Sequence, residues 1–424
     1  MNALGEREDG DVQDLIDFLD ASPSPWHAAQ TAAALLEAGG FTELAESDAW
    51  GDVPAAGFIR RGGALIAWRL ADGAPAGLKI VGAHTDSPGL RIHPHADVTP
   101  SSTGANWRQL GVEIYGGVLL NSWLDRDLGI AGRVVAADGT TTLVNVDQAV
   151  ARVPQLAIHL DRDVNERGLV LDKHVQVRPV WGTDSGQSFA GWLADTTGAN
   201  GAFWELCLYD VQKAAVLGAD RSLIASGRLD NQVSCWAATA AIAGAVPTDH
   251  VAVAALFDHE EVGSASTGGA AGPTLETVIE RLLAASGVDG TDDRHRLFAT
   301  SSCISADNAH AIHPNYPERH DANHAPLVNH GPAIKFNANQ RYATDAETAA
   351  MFWRCCEAAG VPVQSFVSRN NVPCGSTIGP ITATRLGIPT VDVGVPQLSM
   401  HSARELCGAE DPGHLRAALS AYWR

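Results

Sequence analysis

The side chains of this sequence best suited to chemistry stand at the polar ends of apolar runs. GLKIVGAHTD ends on His84 and Asp86, and VAVAALFDHEEVGS on His259, Glu260 and Glu261. LFATSSCISADNAH ends on Asp307 and His310, and PTVDVGVPQLSMHSARE leads through a short polar stretch to His401. Asp230 in SGRLDNQVS stands at the start of a predicted helix. Ligands in open α/β sheets gather outside the carboxyl ends of strands, which is where these residues fall. Taken singly, each has an ordinary explanation: a polar strand end for His84-x-Asp86, a helix N-cap for Asp230, a solvated acidic loop for Glu260-Glu261.

Together they describe a hydrolytic centre. His84, Asp230, Glu261, Asp307 and His401 would give two metal ions one imidazole each, one terminal carboxylate each, and a bridging Asp230. Two divalent cations against three carboxylates leave one positive charge, which a bridging hydroxide cancels. Without metal, the carboxylates would raise one another's pKa values. Zinc accepts imidazole nitrogen and carboxylate oxygen, and paired metals roughly 3.5–4 Å apart activate a water between them. Adjacent Glu260 and Glu261, expected in an extended segment, would point in opposite directions, Glu261 to metal and Glu260 to the water as base. Asp86 is placed to fix the orientation of His84.

The elements that must hold these residues alternate between strand and helix. Residues 11–19 carry apolar positions at helical spacing, and Ser24-Pro25 caps a second helix that ends at Gly39-Gly40. Strands are expected over 57–70, broken at Gly62-Gly63, and over 77–88. From about 97 to 220 short β-like pieces take over, including residues 156–160 and 168–180, with an Asp138-Gly139 hairpin signal. Longer elements resume after 225: a helix over 231–244, a strand over 250–257, a helix over 274–286 and a strand over 297–307. Beyond these come a strand at 333–338, a helix over 347–360, a strand at 361–367, a helix over 381–387, a strand at 389–395 and a closing helix. The pattern predicts an α/β fold. A helix-flanked mixed-sheet domain, 1–96 and 221–424, is interrupted by a β-rich domain, 97–220.

Composition sets the outer limits. The 424 residues include 49 Asp and Glu against 29 Lys and Arg, a net charge of -20, which argues against nucleic acid or an anionic membrane surface as partner. No apolar run reaches the ~18 residues of a membrane span, and the acidic N-terminus has no secretion-signal pattern. Seven Cys without a CxxC pair, with Cys355 and Cys356 adjacent, read as reduced thiols of a cytoplasmic protein. The Gly-rich 263–272 lacks the Lys of a phosphate-binding loop and reads as a turn. The histidines from His313 to His330 read as solvated or inter-subunit loop residues.

GAHTDSPGLRIHP, SGRLDNQ, FDHEEVGSAS, SADNAHAIHPN, GPAIKFNANQRYAT and PQLSMHSARE, in this order over nearly the whole chain, resemble the aspartyl aminopeptidase family of dinuclear zinc exopeptidases, which includes vacuolar aminopeptidase I. The resemblance implies His84 and Asp307 on one zinc, Glu261 and His401 on the other, and Asp230 bridging. It further implies Glu260 as general acid/base and Asp86 as the residue orienting His84. His159 matches a histidine that reaches a neighbouring subunit's site and holds the substrate carbonyl, although alone it reads as a strand residue. His310, Lys335 and Tyr342 match substrate-contacting positions, although Lys335 alone fits an outward position on a strand. The family implies a tetrahedral dodecamer, dimerised through the β-rich insertion and acting on short peptides. An acidic N-terminal residue is the favoured substrate, read by Lys335 with Arg341; neutral residues such as Leu are the alternative. A dinuclear metal amidase or deacylase, and a shell protein with a degenerate site, are the competing readings.

Overall fold

The computed structural model describes residues 10–98, 106–183, 186–199, 201, 203–288 and 290–424. The first part of the acidic N-terminus, residues 1–9, lies outside this set. The main sheet has nine strands. In spatial order they are Thr42–Glu43, Ala56–Arg61, Ala64–Arg69, His250–Phe257, Gly77–His84, Ser302–Ala306, Thr390–Gly394, Ala333–Phe336 and Gln364–Val367. The central four, His250–Phe257 through Thr390–Gly394, run parallel. Their carboxyl ends therefore open on one edge.

This sheet is covered on both faces, and the period-2 alternation of its strands decides which side chain goes where. Val81, Ala83, Ala252, Ala254 and Leu256 pack with Leu15, Leu36, Val233, Trp236, Phe352 and Trp423 from helices on one side. Leu78, Ile80, Val253 and Phe257 pack with Ile279, Leu282, Leu297, Ile378 and Leu386 on the other. Each fully buried Val, Leu or Phe contributes roughly 1.5–3 kcal/mol, and this two-sided burial makes the sheet a stiff platform. Helix Pro25–Ala38 starts as its sequence predicts, with Ser24 accepting from the His27 N–H and Pro25 in the first turn.

A second, six-stranded antiparallel sheet runs Thr141–Ala151, Leu128–Val135, Phe203–Asp210, Gly89–Val98, Arg108–Tyr115, Val180–Gly182. Its core includes Leu90, Leu110, Ile130 and Leu206, covered by Phe189 and Leu193 of helix Phe189–Thr197. The expected hairpin forms at residues 135–141, with Gly139 at φ +90°. A small third sheet joins Ala215–Leu217, Leu223–Ser226, Glu405–Gly408, Pro396–Leu398 and Ala309–His310.

Three local expectations fail. Residues 297–299 end a helix, Thr291–Ala299, and the strand begins only at Ser302; Asp292 and Asp293 in the first turn and Arg296 in the last favour the helix dipole. Residues 154–179 form turns and the short helix Val164–Arg167 instead of two strands. Leu156, Ile158 and Leu160 there are 58%, 45% and 75% exposed, and among the described residues no strand pairs with them. Glu260 and Glu261 sit in a 3-10 turn, Glu260–Val262, and not in extended chain. The turn is entered by His259 at φ +64° and left by Gly263 at φ +97°.

Candidate metal centre

Three neighbouring parallel strands deliver most of the site. His84 closes strand Gly77–His84, and its Cα partner is Phe257, which closes the adjacent strand just before the Glu260–Glu261 turn. Asp307 follows strand Ser302–Ala306, its N–H bonded to the Val393 carbonyl. His401 lies in the turn joining Pro396–Leu398 to Glu405–Gly408. Asp230 stands at the head of helix Leu229–Ala243, where its backbone is non-helical (φ -81°, ψ 107°) and Arg228 occupies the cap position. Its carboxylate makes no capping bond, so the N-cap explanation of Asp230 falls.

All five expected metal donors converge. His84 Nε2 lies 3.3 Å from Asp230 Oδ1 and 3.7 Å from Asp307 Oδ1. His401 Nε2 lies 3.3 Å from Glu261 Oε1 and 3.7 Å from Asp230 Oδ2. The two Asp230 oxygens thus face different imidazoles. Donor atoms of His84, Asp230 and Glu261 all lie within 4.8 Å of one another.

The electrostatics of this cluster call for positive charge. Burial opposes protonation of His401, but Asp230 and Glu261 overcome it and raise its pKa to about 11. His84 is likewise raised against burial by Asp230, Asp307 and Asp86. Burial pushes Glu260 up to about 8 against the pull of His84, and Asp307, Glu261 and Asp230 add to the rise. Glu261 is pushed to about 7, first by burial. Asp230 Oδ1 is buried and accepts no hydrogen bond, an expensive state for a carboxylate oxygen unless a cation meets it. Two imidazole nitrogens among carboxylate oxygens, one of them orphaned, suit zinc.

Asp86 is fully buried and does more than orient His84. His84 Nδ1 lies 3.0 Å from the Asp86 carbonyl and 3.4 Å from its Oδ1. The Asp86 carboxylate also accepts the backbone N–H groups of Glu260 at 3.0 Å and Glu261 at 3.1 Å, which is what holds the turn.

Sequence reasoning missed Glu405. This fully buried carboxylate accepts the N–H of His401 at 2.6 Å and that of Asp230 at 3.0 Å. It also missed Gly117, whose carbonyl lies 3.0 Å from His401 Nδ1 and turns Nε2 towards the donors. MHSARE did place a carboxylate four residues beyond His401, the one available hint.

The donors line a cleft of about 450 Å³ that also includes Glu260, His310, Lys335, Tyr342, Ile381 and Met400. Lys335 is buried, not outward. Its ammonium donates to the Asn308 carbonyl at 3.2 Å, lies 3.9 Å from Asp307 Oδ2 and sits over the Tyr342 ring. Arg341 is exposed and is not among the cleft-lining residues. His159 is exposed in the 154–160 stretch and does not line the cleft of its own chain. His313, His320 and His324 lie in loop segments flanking the 3-10 turn Pro317–Arg319 and form no metal cluster among the described residues. All seven cysteines are free. Among the described residues no helix is long and apolar enough to cross a membrane.

Comparison with known proteins covers nearly the whole chain. The sequence pattern of the aminopeptidase I zinc metalloproteases (M18) matches residues 18–423. A probable M18 family aminopeptidase 2 of Streptomyces coelicolor is 51% identical over 435 residues, covering 100% of this chain and 99% of its own. The structure of mApe1 from Chaetomium thermophilum superposes with a TM-score of 0.85 at 32% identity, covering 97% of this chain and 96% of that one. The yeast mApe1 dodecamer superposes with a TM-score of 0.82 at 28% identity, covering 97% and 95%. A cluster of imidazoles and carboxylates at the strand ends, within a pattern matched almost from end to end, fits this result: the chain belongs to the M18 family and is a zinc metalloprotease of the aminopeptidase type.

Proposed function

We propose that this aminopeptidase removes the N-terminal residue of short peptides with two zinc ions per subunit. His84 and Asp307 would hold one ion, Glu261 and His401 the other, with Asp230 spanning both. The observation that carries this reading is the placement of Asp230, one oxygen facing each imidazole. When bound, the zinc pair polarises the scissile carbonyl and acidifies a water.

The remaining work belongs to the chain. Glu260 takes a proton from the attacking water onto its carboxylate and returns it to the leaving amine nitrogen. Such a group works best with a pKa near the operating pH, and burial supplies the upward shift. Asp86 holds the His84 ring through Nδ1 so that Nε2 faces the centre. His310, Lys335 and Tyr342 contact the substrate from the cleft wall. We assign His159 to a neighbouring subunit's site, where a ring N–H would donate to the substrate carbonyl oxygen. Its exposed apolar neighbours Leu156, Ile158 and Leu160 support burial against a second copy.

In this reading residues 1–96 and 221–424 form the catalytic domain and residues 97–220 the dimerisation domain, with strand Gly89–Val98 crossing that boundary into the six-stranded sheet. The subunits assemble as a tetrahedral dodecamer in the cytoplasm; the similarity to the yeast dodecamer supports the assembly. We infer a preference for N-terminal Asp or Glu, because Lys335 is a cation on the cleft wall. A preference for neutral residues such as Leu is favoured by the proximity of Lys335 to Asp307 and by Ile381 and Met400 in the lining.

Metal analysis tests the centre. Two zinc per chain, reduced by Asp230→Ala, supports the reading; one per chain in the parent overturns it. Rates on Asp-, Glu- and Leu-anilides decide the specificity, with Lys335→Met expected to erase any acidic preference. N-acetylation of a peptide should stop its cleavage, and continued cleavage would reassign the chain as an amidase.

A further inference from the structure

The Asp86 carboxylate has one more partner, and it comes from the other sheet. Tyr115, the last residue of strand Arg108–Tyr115, donates its hydroxyl to Asp86 Oδ2 at 2.7 Å. That same oxygen accepts the Glu261 N–H, while Oδ1 accepts the Glu260 N–H and faces the His84 ring. The Tyr115 ring is buried with the Arg91 guanidinium 3.7 Å from its centroid, so the hydroxyl has little freedom to look elsewhere. The chain then passes close under the centre. A Cβ at Gly116 would stand 3.1 Å from Glu261 Cβ, one at Gly117 would stand 3.2 Å from His401 Nδ1, and the Gly117 carbonyl holds that same ring.

We propose that Tyr115 is a positioning residue of the metal centre, acting through Asp86 to fix both the His84 ring and the Glu260–Glu261 turn. Its hydroxyl occupies the remaining direction open to Oδ2, so the carboxylate cannot rotate away from the two N–H groups and the imidazole it serves. Without it, Oδ2 keeps a single donor and Asp86 gains a torsional range that loosens donors on two strands at once. The six-stranded sheet thereby completes the outer shell of a site whose metal donors all lie elsewhere. Such outer-shell partners commonly set metal affinity.

This inference rests on His84 and Glu261 being metal donors, and the experiment separates the two. Tyr115→Phe removes one oxygen and keeps the ring under Arg91. Tyr209→Phe is the matched control, because the Tyr209 hydroxyl bonds to Asn145 at 2.7 Å and Asp147 at 3.2 Å in the same sheet. Zinc affinity is read by chelator competition, and donor geometry by the visible spectrum of the cobalt-substituted protein. Tyr115→Phe is expected to weaken zinc about ten-fold or more and alter the cobalt spectrum, while Tyr209→Phe leaves both as in the parent. Adding Tyr115→Phe to Asp86→Asn should cost no further affinity, since both act through one carboxylate. Parental zinc affinity and spectrum in Tyr115→Phe, or full additivity with Asp86→Asn, overturns the proposal. If His84→Ala weakens zinc while Tyr115→Phe does not, only Tyr115 is misassigned; if His84→Ala also binds as the parent does, the site reading itself falls.

Discussion

Glu405→Gln isolates the second buried carboxylate that supports the centre. Glu405 Oε1 accepts the His401 N–H at 2.6 Å and Oε2 accepts the Asp230 N–H at 3.0 Å. Glutamine keeps the length but offers one carbonyl oxygen and one NH2, so whichever way it turns, one backbone N–H faces another donor. A buried donor left without an acceptor costs about 1–3 kcal/mol, which corresponds to roughly 5- to 150-fold in an equilibrium constant. Where that cost shows depends on the metal-free state. If the 399–405 turn relaxes when zinc leaves, the orphaned N–H finds water there and the loss falls on zinc affinity. If the turn stays rigid, the loss falls on folding stability. Chelator competition and denaturant unfolding of the metal-free chain, measured together, should therefore sum to that range. A sum below about 0.5 kcal/mol, less than the smallest cost expected for the lost acceptor, would refute the reasoning.

Four further outcomes follow from the same structure. Glu260→Gln should keep its zinc and lose about 10²–10⁴-fold in kcat, and near-parental turnover would remove Glu260 from the acid/base role. In Gly394→Ala the new Cβ would stand 1.9 Å from the Asp307 carbonyl oxygen; displacement of that backbone should lower zinc content and destabilise by roughly 1–3 kcal/mol, measurable by thermal melting. Stripping the metal should lower the melting temperature, and free zinc at about 100 times Kd should restore about 2.7 kcal/mol; unchanged melting with full zinc removal would contradict a site coupled to the fold. Burial, aided by Arg228, lowers the His27 pKa to about 4. The unfolded chain therefore binds the proton more readily, and this contribution is complete above pH 6.5. It is lost as pH falls towards 4, by about 1–2 kcal/mol after allowing for solvent screening. His27→Gln should flatten that limb of the stability–pH curve.

Much of the fold was legible because its elements follow local rules. The apolar runs of 250–257 and 77–84, the Ser24 cap and the Asp138-Gly139 hairpin each express a preference of neighbouring residues. Expectations failed where a local signal had no partner in space. Residues 156–160 have strand composition but, among the described residues, no strand beside them, and 291–299 hid a helix because its first turn is polar and its apolar side holds little more than Leu297 and Phe298.

The sequence by itself determined which residues are proposed as metal donors: imidazoles and carboxylates at the mouths of apolar strands, in blocks shared with a known family. It could not determine what holds them. Tyr115 reads as an ordinary strand residue with no neighbour in sequence that explains it, and Glu405 shows only its local partner, His401, four residues before it. Their distant partners stand 29 residues away at Asp86 and 175 away at Asp230. A hydrogen bond across such separations exists only once the sheets have packed, because its geometry is set by how whole elements dock and not by the torsional preferences of either residue. Tertiary structure therefore decided which carboxylates were left free to meet a cation, and which were already occupied holding the backbone in place.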